Sequence, residues 1–290
     1  MDHDGRVNLE WLSVNDSENE TGGTAIKRAT WALPLSELIG TLLLVAVGCS
    51  FVVIDFAPKS PVVHGIPDVG VRRAITGFLF GLTGGAIALS KVGKISGAHI
   101  NPVVTLAFWL HHKISGWMAL RYLVGQFLGA IIGAGLLVLW GGWAKITHYA
   151  ATTPGPEGAW VAVVGETITT FCLVVALFSF LGSKKLRRYT PGIFPVLYAV
   201  MVWLEAPWSG TSTNPARTLG PAVVSHVWSG WWVYFVGPLL GMVLGILVMG
   251  PVLRFFAWEI ASAKLYYFHH DPYQVFHGHL HRSQDRQSTG

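Results

Sequence analysis

The sequence has little charge. Of its 290 residues only 12% are Asp, Glu, Lys or Arg, about half the share found in an average soluble domain. Hydrophobic residues make up 52% of the chain. Ionic groups this scarce could not cover the surface of a soluble globule, so the composition predicts a membrane protein. The same apolar content excludes an intrinsically disordered chain and a collagen-like repeat.

Cysteine is also scarce. Cys49 and Cys172 both lie inside apolar runs without CxxC spacing, which is typical of buried small apolar side chains rather than of a disulfide framework. The net charge of +5 does not predict a nucleic-acid partner, because the basic residues are distributed between the apolar runs. The first 20 residues contain no basic segment followed by an apolar run, so we predict no cleavable signal peptide.

Long apolar runs predict six membrane-spanning helices, at 32–56, 74–89, 117–140, 159–181, 192–205 and 231–256. Two further stretches, 101–110 and 214–224, have about half of the ~20 residues that cross a bilayer. Re-entrant half-helices fit this length, since irregular backbone at membrane depth must be enclosed by protein or line a cavity. We therefore predict an all-α membrane protein with six spanning helices and two half-helices.

The basic residues predict the orientation of the bundle. With both termini inside, only Lys59, Arg72, Arg73 and Lys145 lie outside, and Arg217 lies in a half-helix. The other 15 of the 20 Lys and Arg then lie inside. Because short cytoplasmic loops are enriched in Lys and Arg, we expect both termini to be cytoplasmic.

The two halves of the chain are related by an internal repeat. The segment SGAHINPVVT, at 96–105, aligns with SGTSTNPART, at 209–218, with five of ten positions identical. YLVGQFLG at 122–129 aligns with YFVGPLLG at 234–241, and Glu37 and Glu166 occupy matching positions in the first and fourth spans. Because each half contains three spans, the second half enters the membrane from the opposite side, which predicts an inverted repeat.

Each half-helix begins with Asn-Pro, at Asn101–Pro102 and at Asn214–Pro215. Asn is a favoured N-cap and Pro is tolerated at the first helical position. The positive ends of both helices should therefore face each other near the membrane centre. If backbone bonds hold the two Asn side chains, their amide NH₂ groups become fixed donors facing a lumen.

With two Asn-Pro boxes in inverted halves, the chain resembles the major intrinsic protein family of aquaporins and aquaglyceroporins. The resemblance covers about Pro34 to Phe256. It implies a passive channel for water or small uncharged solutes in the lipid bilayer, one pore per subunit of a homotetramer, no cofactor, and a location in the plasma membrane. The channel domain is expected at 32–256, with repeats at 32–140 and 159–256, between a polar cytoplasmic N-terminal segment (1–31) and a His-rich cytoplasmic tail (257–290).

The resemblance also implies roles for individual residues. The central constriction is expected from the two boxes, which are Asn101, Pro102, Val103, Asn214, Pro215 and Ala216. Val103 stands where the family usually has Ala, and we expect its extra methyl groups to shift Asn101 slightly. The outer selectivity filter is expected from Phe80, Val202, Thr211 and Arg217, and the paired glutamates Glu37 and Glu166 are expected to support the pore loops.

These residues favour water over glycerol. Glycerol channels usually have Asp directly after the filter Arg, whereas this chain has Thr218, and neither Val202 nor Thr211 supplies a second aromatic ring. Val202 replaces the His of strict water channels, which should widen the filter. We therefore predict a water channel that also passes small neutral solutes such as ammonia or hydrogen peroxide and excludes protons and ions. A glycerol-type facilitator is the alternative within the family.

Two other classes of protein share features with this chain. The pairs His111–His112 and His269–His270 and the alternating His277, His279 and His281 raise the question of a metalloenzyme, but they are too few for a set of His boxes, and no metal site or enzymatic activity is predicted. A secondary transporter also uses inverted repeats. The only ionisable residues expected at membrane depth are Glu37, Glu166 and Arg217, which leaves no evident site for a coupling ion.

Overall fold

The structure is a computed structural model that describes residues 19–260 and 262–266, with side chains from residue 31 onward. In this part of the chain every regular element is helical, which confirms the all-α prediction. The α-helices are α1 (Asn19–Phe56), α2 (Pro61–Gly65), α3 (Val69–Leu89), α4 (Lys91–Ser96), α5 (Pro102–Leu110), α6 (Gly116–Leu136), α7 (Gly142–Ile146), α8 (Ala159–Gly182), α9 (Thr190–Ser209), α10 (Pro215–Ser225) and α11 (Val233–Phe255).

Five segments of the described chain are long and apolar enough to cross a membrane. They lie at Trp31–Phe56, Gly116–Trp140, Ala159–Gly182, Arg187–Ser209 and Val233–Phe255. A further helix, α3, has 21 residues and packs with them as part of the bundle. Its first turns contain Arg72 and Arg73, and it is rich in glycine, so its sequence is less apolar than those of the other five.

The two half-helices begin where the sequence predicts. Helix α5 has nine residues and α10 has eleven, too few to cross a bilayer core. Asn101 and Asn214 are their N-caps, and each has a Pro at the first helical position. The α5 cap is completed by Asn101, whose Oδ1 accepts a hydrogen bond of 3.0 Å from the Val103 N–H.

The packing of the helices follows the inverted repeat. Within each half the first and third spans pack together, as α1 with α6 and as α8 with α11. The second spans of the two halves, α3 and α9, pack against each other. Each half-helix also contacts the third span of the opposite half, α5 with α11 and α10 with α6. The two halves therefore interlock into one bundle around the half-helices.

Glycines allow these helices to approach closely. A β-carbon at Gly85 would lie 2.6 Å from the Pro191 carbonyl oxygen of α9, and one at Gly125 would lie 2.6 Å from the Pro34 oxygen of α1. No real side chain fits at such distances, so glycine at these positions sets the separation of the helices. This agrees with the use of small residues at helix contacts in membranes.

The chain after α11 folds back under the bundle. We call the segment formed by Trp258–Ile260 and Ser262–Leu265 the C-terminal strap. The Leu265 N–H donates to the Gly97 carbonyl at 2.8 Å, and the Ala263 carbonyl lies 3.1 Å from Nε2 of His99. Lys113 forms an ion pair of 3.9 Å with Glu259. The strap thus contacts the loop that leads into α5.

Candidate functional site

The two Asn-Pro boxes meet at the centre of the bundle. Nδ2 of Asn101 donates to the Thr213 carbonyl at 2.9 Å, and Nδ2 of Asn214 donates to the Ile100 carbonyl at 2.9 Å. Both Asn side chains are buried, with 5% and 2% of their surface exposed. Each amide is therefore bonded to the loop of the opposite half, and one of its two N–H groups remains available to the lumen.

The two amides are held from their other side by the helices that they cap. Oδ1 of Asn214 accepts from the Ala216 N–H at 3.0 Å and from the Arg217 N–H at 3.3 Å. The corresponding cap distance at Asn101 is also 3.0 Å. Val103 is completely buried, and the cap of α5 beside it has the same 3.0 Å distance as the shorter bond in the cap of α10.

The loops before the boxes have an unusual backbone. Ala98 and Ile100 in the first loop, and Thr211 and Thr213 in the second, have positive φ angles between 42° and 56°. Residues other than glycine adopt this conformation at a cost and only where their surroundings enforce it. The N–H groups of these loops consequently point away from any helix and need other acceptors.

Glu37 and Glu166 provide those acceptors. Glu37 accepts from the His99 N–H at 2.9 Å and from the Ile100 N–H at 2.6 Å. Glu166 accepts from the Ser212 N–H at 2.6 Å and from the Thr213 N–H at 2.7 Å. Neither carboxylate is exposed, and both bind backbone rather than reacting groups, as expected for structural support of the pore loops.

A pair of tyrosines adds a second support, also related by the repeat. The Tyr122 hydroxyl donates to the Ser96 carbonyl at 2.7 Å, and the Tyr234 hydroxyl donates to the Ser209 carbonyl at 2.7 Å. In the first half only, Nε2 of Gln126 donates to Glu37 at 2.7 Å. Position 126 corresponds to Pro238 in the second half, which has no side-chain donor.

Arg217 lies one turn into α10 and is 4% exposed. Its Nη1 donates to the Ala150 carbonyl at 2.8 Å, and its guanidinium carbon lies 5.9 Å from the centre of the Phe80 ring. The structure therefore brings two of the four predicted filter residues together. The carbonyl of Ala150 and the ring of Phe80 together hold the charged group in a fixed position.

The other two predicted filter residues have different surroundings. The Thr211 hydroxyl donates to the buried carboxyl group of Glu205, a residue to which the sequence analysis gave no role. Val202 is buried on α9 and faces Gly77. A β-carbon added at Gly77 would lie 2.9 Å from the β-carbon of Val202. Thr218, directly after Arg217, lies 2.6 Å from the Ser212 hydroxyl and 2.9 Å from the Thr152 hydroxyl.

Histidines do not form a metal site in the described residues, where no group of three or more His, Cys, Asp or Glu side chains could hold an ion. Burial, together with the charges of Lys113 and His112, lowers the pKa of His111, whose ring contacts Phe178 edge-on at 4.7 Å. The ring is therefore neutral at pH 7 and packs as an aromatic residue. His269, His270 and the alternating tail histidines lie outside the described residues.

Several residues of the site were not identified from the sequence. Tyr198 and Leu265 line the cavity beside the two boxes, and His99 connects the first loop to the strap. His99 and Gln126 lie within the aligned repeat segments, so their positions could have drawn attention to them. Nothing in the sequence distinguishes Tyr198 or Leu265 from other residues of apolar helices and loops, whereas Glu205 is an acidic residue at the end of an apolar run and could have drawn attention.

Comparisons with known proteins agree with this architecture. A statistical model of the family described as "Major intrinsic protein" matches residues 25–249. A probable aquaporin of the NIP type from Nicotiana alata is 30% identical over 215 residues, covering 74% of this chain and 75% of the relative. Aquaporin PIP1-1 from Arabidopsis thaliana is 34% identical over 242 residues, covering 77% and 80%.

A solved structure also has this fold. The X-ray structure of the aquaglyceroporin from Plasmodium falciparum superimposes with a TM-score of 0.63, covering 78% of this chain and 99% of that one. Its sequence identity is 18%, so this likeness concerns the fold alone.

Proposed function

The chain belongs to the major intrinsic protein family, and on that premise we propose that it is a passive water channel. Members of this family are membrane channels for water or small solutes and are not enzymes, which confirms the resemblance noted in the sequence. We propose that water is the main permeant of this channel. Ammonia and hydrogen peroxide also pass, and protons and ions are excluded.

The observation that carries the proposal is the reciprocal bonding of Asn101 and Asn214. Each amide uses one N–H on the opposite loop, at 2.9 Å, and offers the other to the lumen. A water molecule that accepts from these donors must point its own hydrogens away from the centre. Since proton transfer needs a continuous chain of reorientable waters, this orientation interrupts the chain. The positive ends of α5 and α10 add an electrostatic barrier to cations.

A second barrier is provided by Arg217. Its guanidinium group is fixed between Phe80 and the Ala150 carbonyl, so a positive charge lies at a constant position beside the lumen. A neutral water molecule can exchange hydrogen bonds there, whereas a cation meets like charge in a poorly solvated site. The remaining donors of Arg217 replace part of the hydrogen bonding that water loses on entry.

The residue after Arg217 supports water over glycerol. Thr218 is 2% exposed and its hydroxyl is bonded to Ser212 and Thr152, so it supplies no acidic group to the filter. The Tyr234 hydroxyl is likewise occupied, by the Ser209 carbonyl. These bonds hold the second pore loop rigidly, which favours a narrow pore of constant width.

Stopped-flow light scattering of proteoliposomes tests the proposal. Vesicles containing the purified protein should shrink in an impermeant osmolyte much faster than empty vesicles. They should show little glycerol flux above background, and neither flux should depend on a proton or sodium gradient. Fast glycerol flux would instead indicate that the protein is a glycerol facilitator. Dependence of the flux on an ion gradient would indicate a secondary transporter.

We also propose an arrangement in the cell. The channel domain at 32–256 lies in the plasma membrane as a homotetramer, with both termini in the cytoplasm. The distribution of Lys and Arg supports this orientation. Large apolar residues on the outer surface of the bundle, among them Leu139 and Trp160, at 84% and 73% exposed, support its burial in lipid or against other subunits.

A further inference from the structure

A cavity of about 50 Å³ adjoins the two Asn-Pro boxes. Its walls include Phe80, Asn101, Tyr198, Asn214 and Leu265. It runs between the junction of the two half-helices and the C-terminal strap, and it is therefore a section of the proposed pore. The polar residues of its wall that had no role assigned from the sequence are His99 and Tyr198, and only Tyr198 projects from a spanning helix.

Tyr198 projects from α9 against the second pore loop. Its hydroxyl lies 2.8 Å from the Thr213 hydroxyl, and the Thr213 carbonyl accepts the hydrogen bond from Asn101. Its ring centre lies 5.9 Å from that of Phe80, with the planes inclined by 33°. One face of the tyrosine thus contacts the aromatic residue of the filter, while its hydroxyl contacts the residue next to Asn214.

The backbone at Tyr198 packs directly against α3. A β-carbon at Gly77 of α3 would lie 2.8 Å from the carbonyl carbon of Tyr198, and one at Gly81 would lie 2.7 Å from that of Phe194. Helices α3 and α9 are therefore in direct backbone contact at this level. A ring carried by such rigid elements keeps its position more closely than one carried by a loop.

Tyr198 lies four residues before Val202, or about 6 Å along the helix. The sequence predicts a wide filter at Val202, because this position has neither an aromatic ring nor a His. The missing bulk is present one turn earlier in α9, where the Tyr198 ring lies beside that of Phe80 and lines the same cavity as Asn101 and Asn214.

We propose that Tyr198 is a specificity-determining residue that restricts the pore to molecules of about the size of water. Its ring and that of Phe80 narrow the lumen at the level of Asn101 and Asn214, so polyols such as glycerol are excluded there rather than at Val202. The hydroxyl group fixes the ring through Thr213. This inference rests on the proposed water channel and identifies the side chain that makes it selective.

Substitutions at Tyr198 test the inference in proteoliposomes. Tyr198→Val should raise glycerol permeability by at least about tenfold, which corresponds to about 1.4 kcal/mol of barrier, while water permeability is retained. Tyr198→Phe keeps the ring and should continue to exclude glycerol. Tyr198→Trp should lower water permeability, because the larger ring occupies more of the lumen. Tyr189→Val, at a tyrosine that is 52% exposed before α9, is the matched control.

The outcomes separate this inference from the proposed function. If Tyr198→Val conducts water but excludes glycerol as well as the unsubstituted protein does, the inference is wrong and the water channel stands. If the unsubstituted protein itself passes glycerol rapidly or conducts no water, the proposed function fails. Should Tyr198→Val not fold, Tyr198→Leu provides the same test with a smaller change of volume, and its elution in gel filtration reports whether it has folded.

Discussion

At the scale of single residues, the pore loops depend on two carboxylates that form no salt bridge among the described residues. Glu37 and Glu166 accept hydrogen bonds from backbone N–H groups, from the Gln126 amide and, at 2.7 Å, from the Ser209 hydroxyl. Their role follows from the positive φ angles of the loops, which leave N–H groups without helical acceptors. A buried N–H that loses its acceptor costs about 1–3 kcal/mol, so the loops and the glutamates stabilise each other.

Glu37→Ala should therefore destabilise the protein. It leaves the N–H groups of His99 and Ile100 without acceptors, and we expect a loss of about 2–6 kcal/mol of stability from the two groups. Thermal unfolding in detergent and water flux in vesicles measure the effect. Glu157→Ala, at an exposed glutamate, is the control, and equal unfolding temperatures for the two variants would contradict the supporting role of Glu37.

Arg217 allows a prediction about ions at the same scale. Arg217→Val removes the fixed charge beside Phe80, and proton leak should rise by about tenfold, equivalent to about 1.4 kcal/mol of barrier. Glycerol flux should change little, since Tyr198 remains. A pH-sensitive dye trapped in the vesicles reports the leak, and Arg254→Val, at an exposed arginine near the end of α11, serves as control. An unchanged proton leak in Arg217→Val would mean that Asn101 and Asn214 exclude protons without Arg217.

At the scale of helices, the glycine positions determine how closely the spans can pack. Gly129 of α6 lies directly against the Leu38 carbonyl of α1, whereas Gly135 of the same helix has no atom within 4 Å of the place where a β-carbon would stand. Two glycines in one helix thus have opposite requirements: Gly129 belongs to a series with Gly125 and Gly133 at four-residue spacing, and Gly135 lies outside it.

We expect Gly129→Val to separate α1 from α6 and to cost about 1–3 kcal/mol or more through overpacking. Gly135→Val makes the same chemical change in open space and should leave the unfolding temperature within a degree or two. Thermal unfolding of the two variants checks this directly. Similar destabilisation by both would mean that valine affects α6 itself rather than its contact with α1.

The C-terminal strap is a second feature at this scale. Leu265 is 5% exposed and forms part of the cavity wall, so its side chain narrows that end of the pore. Leu265→Ala should raise the water permeability of each channel by at least about twofold, or about 0.4 kcal/mol of barrier. Phe255→Ala, at a residue that is 84% exposed, is the control. No increase would show that another part of the pore limits the flow.

At the scale of the whole molecule, the inverted repeat explains why one bundle can position two half-helices symmetrically. Equivalent contacts recur in both halves. Glu37 binds the first pore loop and Glu166 binds the second. The hydroxyls of Tyr122 and Tyr234 donate to the carbonyls of Ser96 and Ser209. The halves differ where the sequence differs, since only the first has Gln126. The symmetry places the two Asn side chains opposite each other, each bonded to the loop of the other half.

The proposed homotetramer gives a prediction at this scale. Multi-angle light scattering of the purified protein, corrected for detergent, should give about four times the 31.5 kDa of one chain. The apolar outer surface of the bundle then lies partly between subunits. A monomeric mass with full water flux would contradict the tetramer and leave the pore unaffected, because the pore lies within a single chain.

Much of the fold was predictable because it depends on local chemistry. Apolar length predicted the spans, and Asn-Pro predicted the starts of α5 and α10, since capping involves only neighbouring residues. The pairing of Arg217 with Phe80 was expected only through resemblance to a family. Positions that depend on packing between distant segments were missed: the carboxyl group of Glu205 beside Thr211, and the ring of Tyr198 beside Phe80.

Composition, the repeated segments and the Asn-Pro caps were sufficient to predict a membrane protein with an inverted repeat and two half-helices that meet at its centre. These features can be recognised without knowing how distant segments pack. The identity of the side chains that line the lumen could not be predicted in this way, because it depends on the rotation and separation of α3, α9 and the pore loops. Backbone contact at Gly77 and Gly81 fixes that separation and places Tyr198 beside the Asn pair.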